Sequence, residues 1–292
     1  MAQGIAPGAR VVVVGAGTMG HGIAHVSAAA GYDVTLVDTT HEQIERGLSQ
    51  IRANLQGGVD RGKLTGQARD AALARLRGAT DVDAAVRDAA LVIEAIPERF
   101  DLKDELFARV ENAVRPTAIL ATNTSSLSIS DLQARLARPG RFLGLHFFNP
   151  VHIMQLVEVV RGTQTDEEVV RAGVAFAQAI GREPIVVNDA PGFASSRLGI
   201  ALGLEAMRMV EEGVASPADI DKAMELGYRH PMGPLRLTDL VGLDVRLDIA
   251  RYLHDKIGGE RFRPPAILER LVAEGKLGRK SGHGFYDWST QS

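Results

Sequence analysis

Between Val11 and Gly22 the chain reads VVVVGAGTMGHG, four consecutive valines running straight into glycines at 15, 17 and 20. A run of β-branched residues favours a strand buried on both faces. The G-x-G-x-x-G spacing that follows turns such a strand abruptly into a helix. Gly15 permits the tight turn, Gly17 lets backbone approach a pyrophosphate, and Gly20 lets the helix pack close to the strand. The helix start at Thr18 and Met19 supplies N–H donors and the positive end of the helix dipole. A second strand ends at Asp38, 18 residues past Gly20. A carboxylate there accepts from both ribose hydroxyls and repels a 2′-phosphate, which favours NAD(H) over NADP(H). The alternative is a packing turn followed by a surface aspartate.

The rest of the first two-thirds repeats this rhythm. Strands are expected at 10–14, 33–37, 91–94, 118–121, 141–146, 156–160 and 184–188, with helical patterns at 18–30, 102–114 and 166–180. Short strands alternating with helices imply an α/β fold around a mainly parallel sheet. Residues 41–77 carry no strand signal and read as two helices with a turn near Gly57–Gly66, an arm beside the sheet's C-terminal edge. After Asn188 the turn DAPGF opens a stretch that is helical at almost every window. The expected organisation is a Rossmann-like dinucleotide-binding domain over 1–189 and a smaller all-helical domain over 190–292.

The 292 residues are 45% hydrophobic and 24% charged, enough to bury a sizeable core. With 33 basic and 36 acidic residues, bulk charge attracts neither nucleic acid nor an anionic membrane. The absence of cysteine removes disulfides, thiolate nucleophiles and Cys-ligated metals. No apolar run reaches the length of a membrane span or signal core, so a cytoplasmic enzyme is expected. Metal-ligand spacings such as H-E-x-x-H are absent, as is a G-x-S-x-G elbow.

Catalytic chemistry concentrates in LHFFNPVHIMQLVEV, residues 145–159. His146 ends one aliphatic strand, Asn149 and Pro150 break the chain, and Glu158 stands among Leu156, Val157, Val159 and Val160 of the next. A lone carboxylate in such a run is costly unless paired. The economical partner is His146 across the two strands: the carboxylate fixes the tautomer and the second ring nitrogen moves a proton near neutral pH. A purely structural His–Glu pair is the alternative. His152, on the turn, reads as a surface residue. Upstream, the strand end at Ala95 and Ile96 runs into the cofactor crevice, where Glu98 and Lys103 could reach the nicotinamide-side ribose or form an ordinary charged helix start. The run ATNTSSLS places Asn123 at the next strand end as a cofactor contact and presents Ser125 to orient a substrate oxygen or to cap a helix.

GAGTMG, EAIPE, NTSSLSI, GLHFFNPVHIMQLVEV, DAPGF, DIDKAMELGYRHPMGPLRLTDLVGLD and LGRKSGHGFYDW together span nearly the whole chain. In these motifs the sequence resembles the L-3-hydroxyacyl-CoA dehydrogenase family, most closely its bacterial 3-hydroxybutyryl-CoA dehydrogenases. The resemblance implies His146 as catalytic base with Glu158 as its partner, and Ser125 and Asn149 orienting the substrate. It also implies Asp38 at the adenine-side ribose, and Glu98 and Lys103 on the nicotinamide side. The arm would cover the coenzyme A tail, with Arg61 as a basic contact. The helical domain would form a homodimer. Relatives often carry asparagine where this chain has Ser196, which enters as a further substrate contact.

The expected function is therefore NAD-dependent interconversion of a short-chain (S)-3-hydroxyacyl-CoA and its 3-oxoacyl-CoA. The alternatives are the same fold acting on a free hydroxy acid, and a non-catalytic NAD(H)-binding protein.

Overall fold

The computed structural model describes residues 5–289. Residues 1–4 and 290–292, the outer ends of the two expected domains, lie outside the described residues. The chain divides into two units, one ending at Ala190 and the other beginning at Pro191.

The first unit runs β1 (Arg10–Val14), α1 (Thr18–Ala29), β2 (Asp33–Val37), α2 (His41–Asp60), α3 (Gly66–Ala74), β3 (Leu76–Ala79), α4 (Val82–Val86), β4 (Leu91–Glu94) and α5 (Phe100–Ala113). It continues through β5 (Ile119–Thr122), α6 (Ile129–Gln133), β6 (Phe142–Phe147), β7 (Leu156–Arg161), α7 (Glu167–Ala179) and β8 (Glu183–Asn188). The strands form one sheet in the order β3-β2-β1-β4-β5-β6-β7-β8. All neighbours are parallel except β6 and β7. Val11, Val12 and Val13 are wholly buried, as a central strand covered on both faces requires. Strand order reverses between β1 and β4, which opens a crevice at their C-terminal ends.

Some details depart from the sequence pattern, among them the short helices α4 and α6, β7 ending one residue later and β8 beginning one residue earlier. β3 lies at the end of the stretch read as strandless. Its sequence, LRGA, is partly exposed and pairs only with β2, and an edge strand needs little apolar content to form. Gly78 is there because a Cβ would meet Ile44 of α2 at 2.3 Å. β5 and β6 begin and end one residue later than the aliphatic runs suggest.

β6 and β7 are joined by a short connection and so run antiparallel, which needs no crossover helix. Their register sets His146 directly opposite Glu158.

The second unit packs α8 (Ser195–Glu211), α9 (Pro217–Gly227), α10 (Pro234–Val241), α11 (Leu243–Ile257) and α12 (Ala266–Ala273). Its core includes Leu204, Met207, Leu235, Leu247 and Leu268. Its closing segment is held chiefly by one carboxylate, with Asp221 also accepting from the Tyr286 hydroxyl at 2.7 Å. Asp239 of α10, fully buried, accepts from Phe285 N and Tyr286 N at 2.9 Å and from Trp288 Nε1 at 2.8 Å. Gly284 leaves room for that carboxylate, since a Cβ there would come within 2.2 Å of Asp239 Oδ1. Among the described residues no helix is long and apolar enough to cross a membrane.

Asp239→Ala leaves one buried and two part-buried donors unpaired and is expected to cost about 3 kcal/mol or more. Urea unfolding followed by the fluorescence of Trp288, the chain's one tryptophan, reads that loss directly.

Candidate active site

The glycine turn after β1 has the geometry that its spacing implies. Gly15 sits at φ +106°, where side chains are rarely tolerated, and a Cβ would meet Ala95 O at 2.5 Å. At Gly20 a Cβ would fall 1.7 Å from Gly15 O. Gly17, at the start of α1, has no atom within 4 Å of its Cβ position. The first turn of α1 holds no acidic residue and no side-chain cap. A phosphate group thus finds open space and undirected N–H donors at a helix N-terminus. Asp38 follows at the end of β2, accepting from Ala16 N at 2.6 Å and Thr39 N at 2.7 Å. With its NH₂ turned inward, Gln43 also donates to both Asp38 oxygens, at 2.8 and 3.1 Å. These features fit a dinucleotide with an unsubstituted ribose.

A cavity of about 290 Å³ lies beside this turn, lined by Met19, Ala95, Ile96, Glu98, Asn123, Ser125, His146 and Phe147. The pattern of strand ends singled out all of these but Phe147. His146 is buried, and its Nδ1 lies 2.7 Å from Oε2 of the fully buried Glu158. A carboxylate only accepts, so Nδ1 is the nitrogen that donates toward Glu158. Phe148 packs against the imidazole at 4.5 Å between ring centres. Asn123 Oδ1 accepts from Phe147 N at 2.9 Å, tying the end of β5 to the end of β6.

Behind the cavity wall lies a charged cluster that the sequence only half disclosed. Lys103 is 1% exposed and pairs with the buried Glu94 at 2.5 Å and with Glu98 at 3.2 Å. It does not itself line the cavity; Glu98 does. Glu98 Oε1 accepts from Thr124 Oγ1, from Ser125 N at 2.9 Å, and from Ser126 N and Oγ at 3.1 and 3.0 Å. Glu94 was missed, although an acid closing the aliphatic LVIE strand gives the same signal as Glu158. It accepts from Ile96 N at 2.7 Å and Thr122 Oγ1 at 2.6 Å. Burial raises the Glu94 pKa, and Lys103 and these hydrogen bonds only partly offset it. At Glu98 burial again opposes the charge, but Lys103 and the bonds from residues 124–126 outweigh it and hold the pKa below the usual carboxylate range.

Other candidates lie elsewhere. Asn149 is exposed, just beyond β6, and joined to Pro150 by a cis peptide bond. Ser196 stands in the first turn of α8, in the second unit. Arg61 lines a different cavity, of about 640 Å³, with Asn54 and Lys63 from the arm and His25 from α1. His152, read from sequence as a surface residue, is half-buried in that same cavity, because the β6–β7 turn folds back toward α1. Val151 of this turn packs on Gly22 of α1, where a Cβ would meet it at 2.8 Å. No group of three side chains suited to a metal ion occurs among the described residues.

The model of the 3-hydroxyacyl-CoA dehydrogenase NAD-binding domain matches residues 10–190, and that of the same enzyme's C-terminal domain matches residues 192–288. A probable 3-hydroxybutyryl-CoA dehydrogenase of Deinococcus radiodurans is 45% identical, over 94% of this chain and 99% of its own. One from Bacillus subtilis is 42% identical, over 97% and 98%. The crystal structure of (S)-3-hydroxybutyryl-CoA dehydrogenase from Ralstonia eutropha superposes with a TM-score of 0.93 at 40% identity, covering 96% of this chain and 99% of that one.

Glu98→Ala is expected to free the 124–126 loop, speeding amide exchange at Ser125 and Ser126 about 10- to 100-fold for a loss of about 1–3 kcal/mol. Because the folded pKa of Glu98 is depressed, its contribution is complete above the unfolded carboxylate value and fades as pH falls through the folded one. Protection at these two amides should therefore survive the ordinary carboxylate range and be lost only below it.

Proposed function

The chain belongs to the 3-hydroxyacyl-CoA dehydrogenase family and is an NAD-dependent oxidoreductase; from that premise we propose that it interconverts (S)-3-hydroxyacyl-CoA and 3-oxoacyl-CoA of short chain, with His146 as the general base. The observation that carries this reading is the His146–Glu158 pair, 2.7 Å apart, in the wall of a cavity bordered by the glycine turn's Met19.

When bound, NAD⁺ supplies the acceptor for the hydride that leaves C3 of the substrate. The protein's own part is proton transfer and geometry. Nε2 of His146 takes the C3 hydroxyl proton as the carbon–oxygen double bond forms, and the adjacent Glu158 carboxylate stabilises the resulting imidazolium. In the reverse direction the same nitrogen returns the proton to the carbonyl oxygen. Ser125, whose backbone is held by Glu98, orients that oxygen, and Asn149 assists from beyond β6. Asp38 selects NAD by occupying the place a 2′-phosphate would need. The coenzyme A tail is assigned to the arm cavity, where Arg61 and Lys63 offer charge to its phosphates. The working state is assigned as a cytoplasmic homodimer built on the helical unit, which exposes Leu198, Leu226 and Tyr228.

NADH oxidation is expected with acetoacetyl-CoA and neither with free acetoacetate nor with NADPH as donor. Turnover of the free acid at a comparable rate would move the assignment to hydroxy acids. His146→Gln should lower kcat about 10²- to 10⁴-fold while the NADH dissociation constant stays within a few-fold. An unchanged kcat would remove His146 from the mechanism.

A further inference from the structure

The arm cavity holds a set of bases that hydride transfer does not use. Arg61, Lys63, His25 and His152 line it, and no carboxylate does. Two further bases stand near: His21 of α1, and Arg182 in the turn leading into β8. The rings of His25 and His152 stack with centroids 5.6 Å apart and planes 23° from parallel. Fixed cations around a roomy cavity suit an anion of more than one charge. The two imidazoles add groups whose charge depends on what occupies the space.

These histidines are not equivalent. His25 is 8% exposed, and its Nδ1 is buried without a hydrogen-bond partner. Protonation would place an N–H where nothing accepts it, a costly arrangement in a buried site. Burial, followed by the fields of His152, His21 and Arg182, pushes His25 down to about 4. It therefore serves as a neutral shelf. His152 is only half-buried, and its pKa is lowered by burial, then by His21, Arg182 and Arg61. Among the described residues the charged and titratable groups set against it are basic: His21 and His25 on α1, Arg61 beyond α2 and Arg182 ahead of β8, with Lys63 in the same cavity wall. A phosphate group placed among them reverses the sign of the local field and stabilises the imidazolium.

We propose that His152 binds a phosphate of the substrate's coenzyme A moiety and gains a proton as that phosphate enters the arm cavity. The inference rests on the assignment of the coenzyme A tail to this cavity. It makes affinity for the thioester proton-linked. Below the empty-cavity pKa of His152 the ring is already charged, and above the occupied-cavity pKa it stays neutral. Between the two, KM rises by up to about tenfold per pH unit, the slope of one proton.

The test compares KM and kcat for acetoacetyl-CoA and acetoacetyl-pantetheine, which share the reacting group but differ in the nucleotide. Both are measured with saturating NADH from about pH 6 to pH 9, across the range in which a histidine titrates. The ratio of the two KM values isolates the nucleotide's contribution from titration of His146. Ionisation of the phosphate itself is common to all variants and cancels between them. For the unaltered enzyme the preference for the coenzyme A ester should fall about tenfold or more as pH rises, with the slope in KM and not in kcat. His152→Gln should show a weak preference without that slope. His152→Lys should show a strong one, also without it, because the lysine stays charged throughout. Thermal unfolding of each variant checks its fold, and the lysine variant alone suffices should the glutamine variant fail to fold. A preference that does not change with pH, or that keeps its slope in either variant, overturns the proton linkage and leaves the proposed function standing. Equal KM values for the two esters at every pH would instead remove the nucleotide from the arm cavity, and both readings of that cavity with it.

Discussion

One buried ammonium holds the cavity wall together. Lys103 lies between Glu94 at the end of β4 and Glu98 in the loop that leads into α5, and those carboxylates in turn hold Thr122, Thr124, Ser125 and Ser126. Removing one partner of such a cluster leaves an uncompensated buried charge, which costs far more than an exposed pair contributes. The two carboxylates are not alike. Glu94 is wholly enclosed and burial raises its pKa, whereas Glu98 gathers enough donors to stay charged more readily than an ordinary acid. Glu98 is thus the fixed anion that shapes the 124–126 loop, and Glu94 anchors the lysine from behind.

A second constraint is the antiparallel pairing of β6 and β7. Its register brings His146 and Glu158 face to face, and a slip of either strand by one residue would send its side chain to the opposite face and part the pair. The turn between these strands serves two cavities. It begins just past His146, and it carries Val151 and His152 back against α1 and the arm. The positions of the proposed base and of the proposed phosphate contact are therefore set by one short segment. That links the two cavities through one stretch of backbone.

Much of the site was legible because its residues announce themselves locally. The valine run into three spaced glycines permits few other folds. A lone acid in an aliphatic strand, as at Glu158, requires a partner, and a short turn leaves few candidates. The same logic applied to Glu94 would have found it, since LVIE ends in an acid that a buried strand cannot leave unpaired. β3 was not legible, because an edge strand reading LRGA has neither alternation nor an aliphatic run to mark it. His152 was not legible either. Nothing near it in the chain shows that α1, the arm and the turn converge on it.

The sequence by itself determined the strand–glycine–helix unit, the acid that follows the second strand, the His146–Glu158 pair and the change to helices after Asn188. Each follows from chemistry within a few neighbouring residues or across one turn. Tertiary structure alone decided that Lys103 is buried between two carboxylates, that Glu98 grips a loop 26 to 28 residues downstream, and that His25 stacks on His152. Burial and electrostatic field are summed over every element that packs around a group. A chain read one segment at a time does not contain that sum until it has folded.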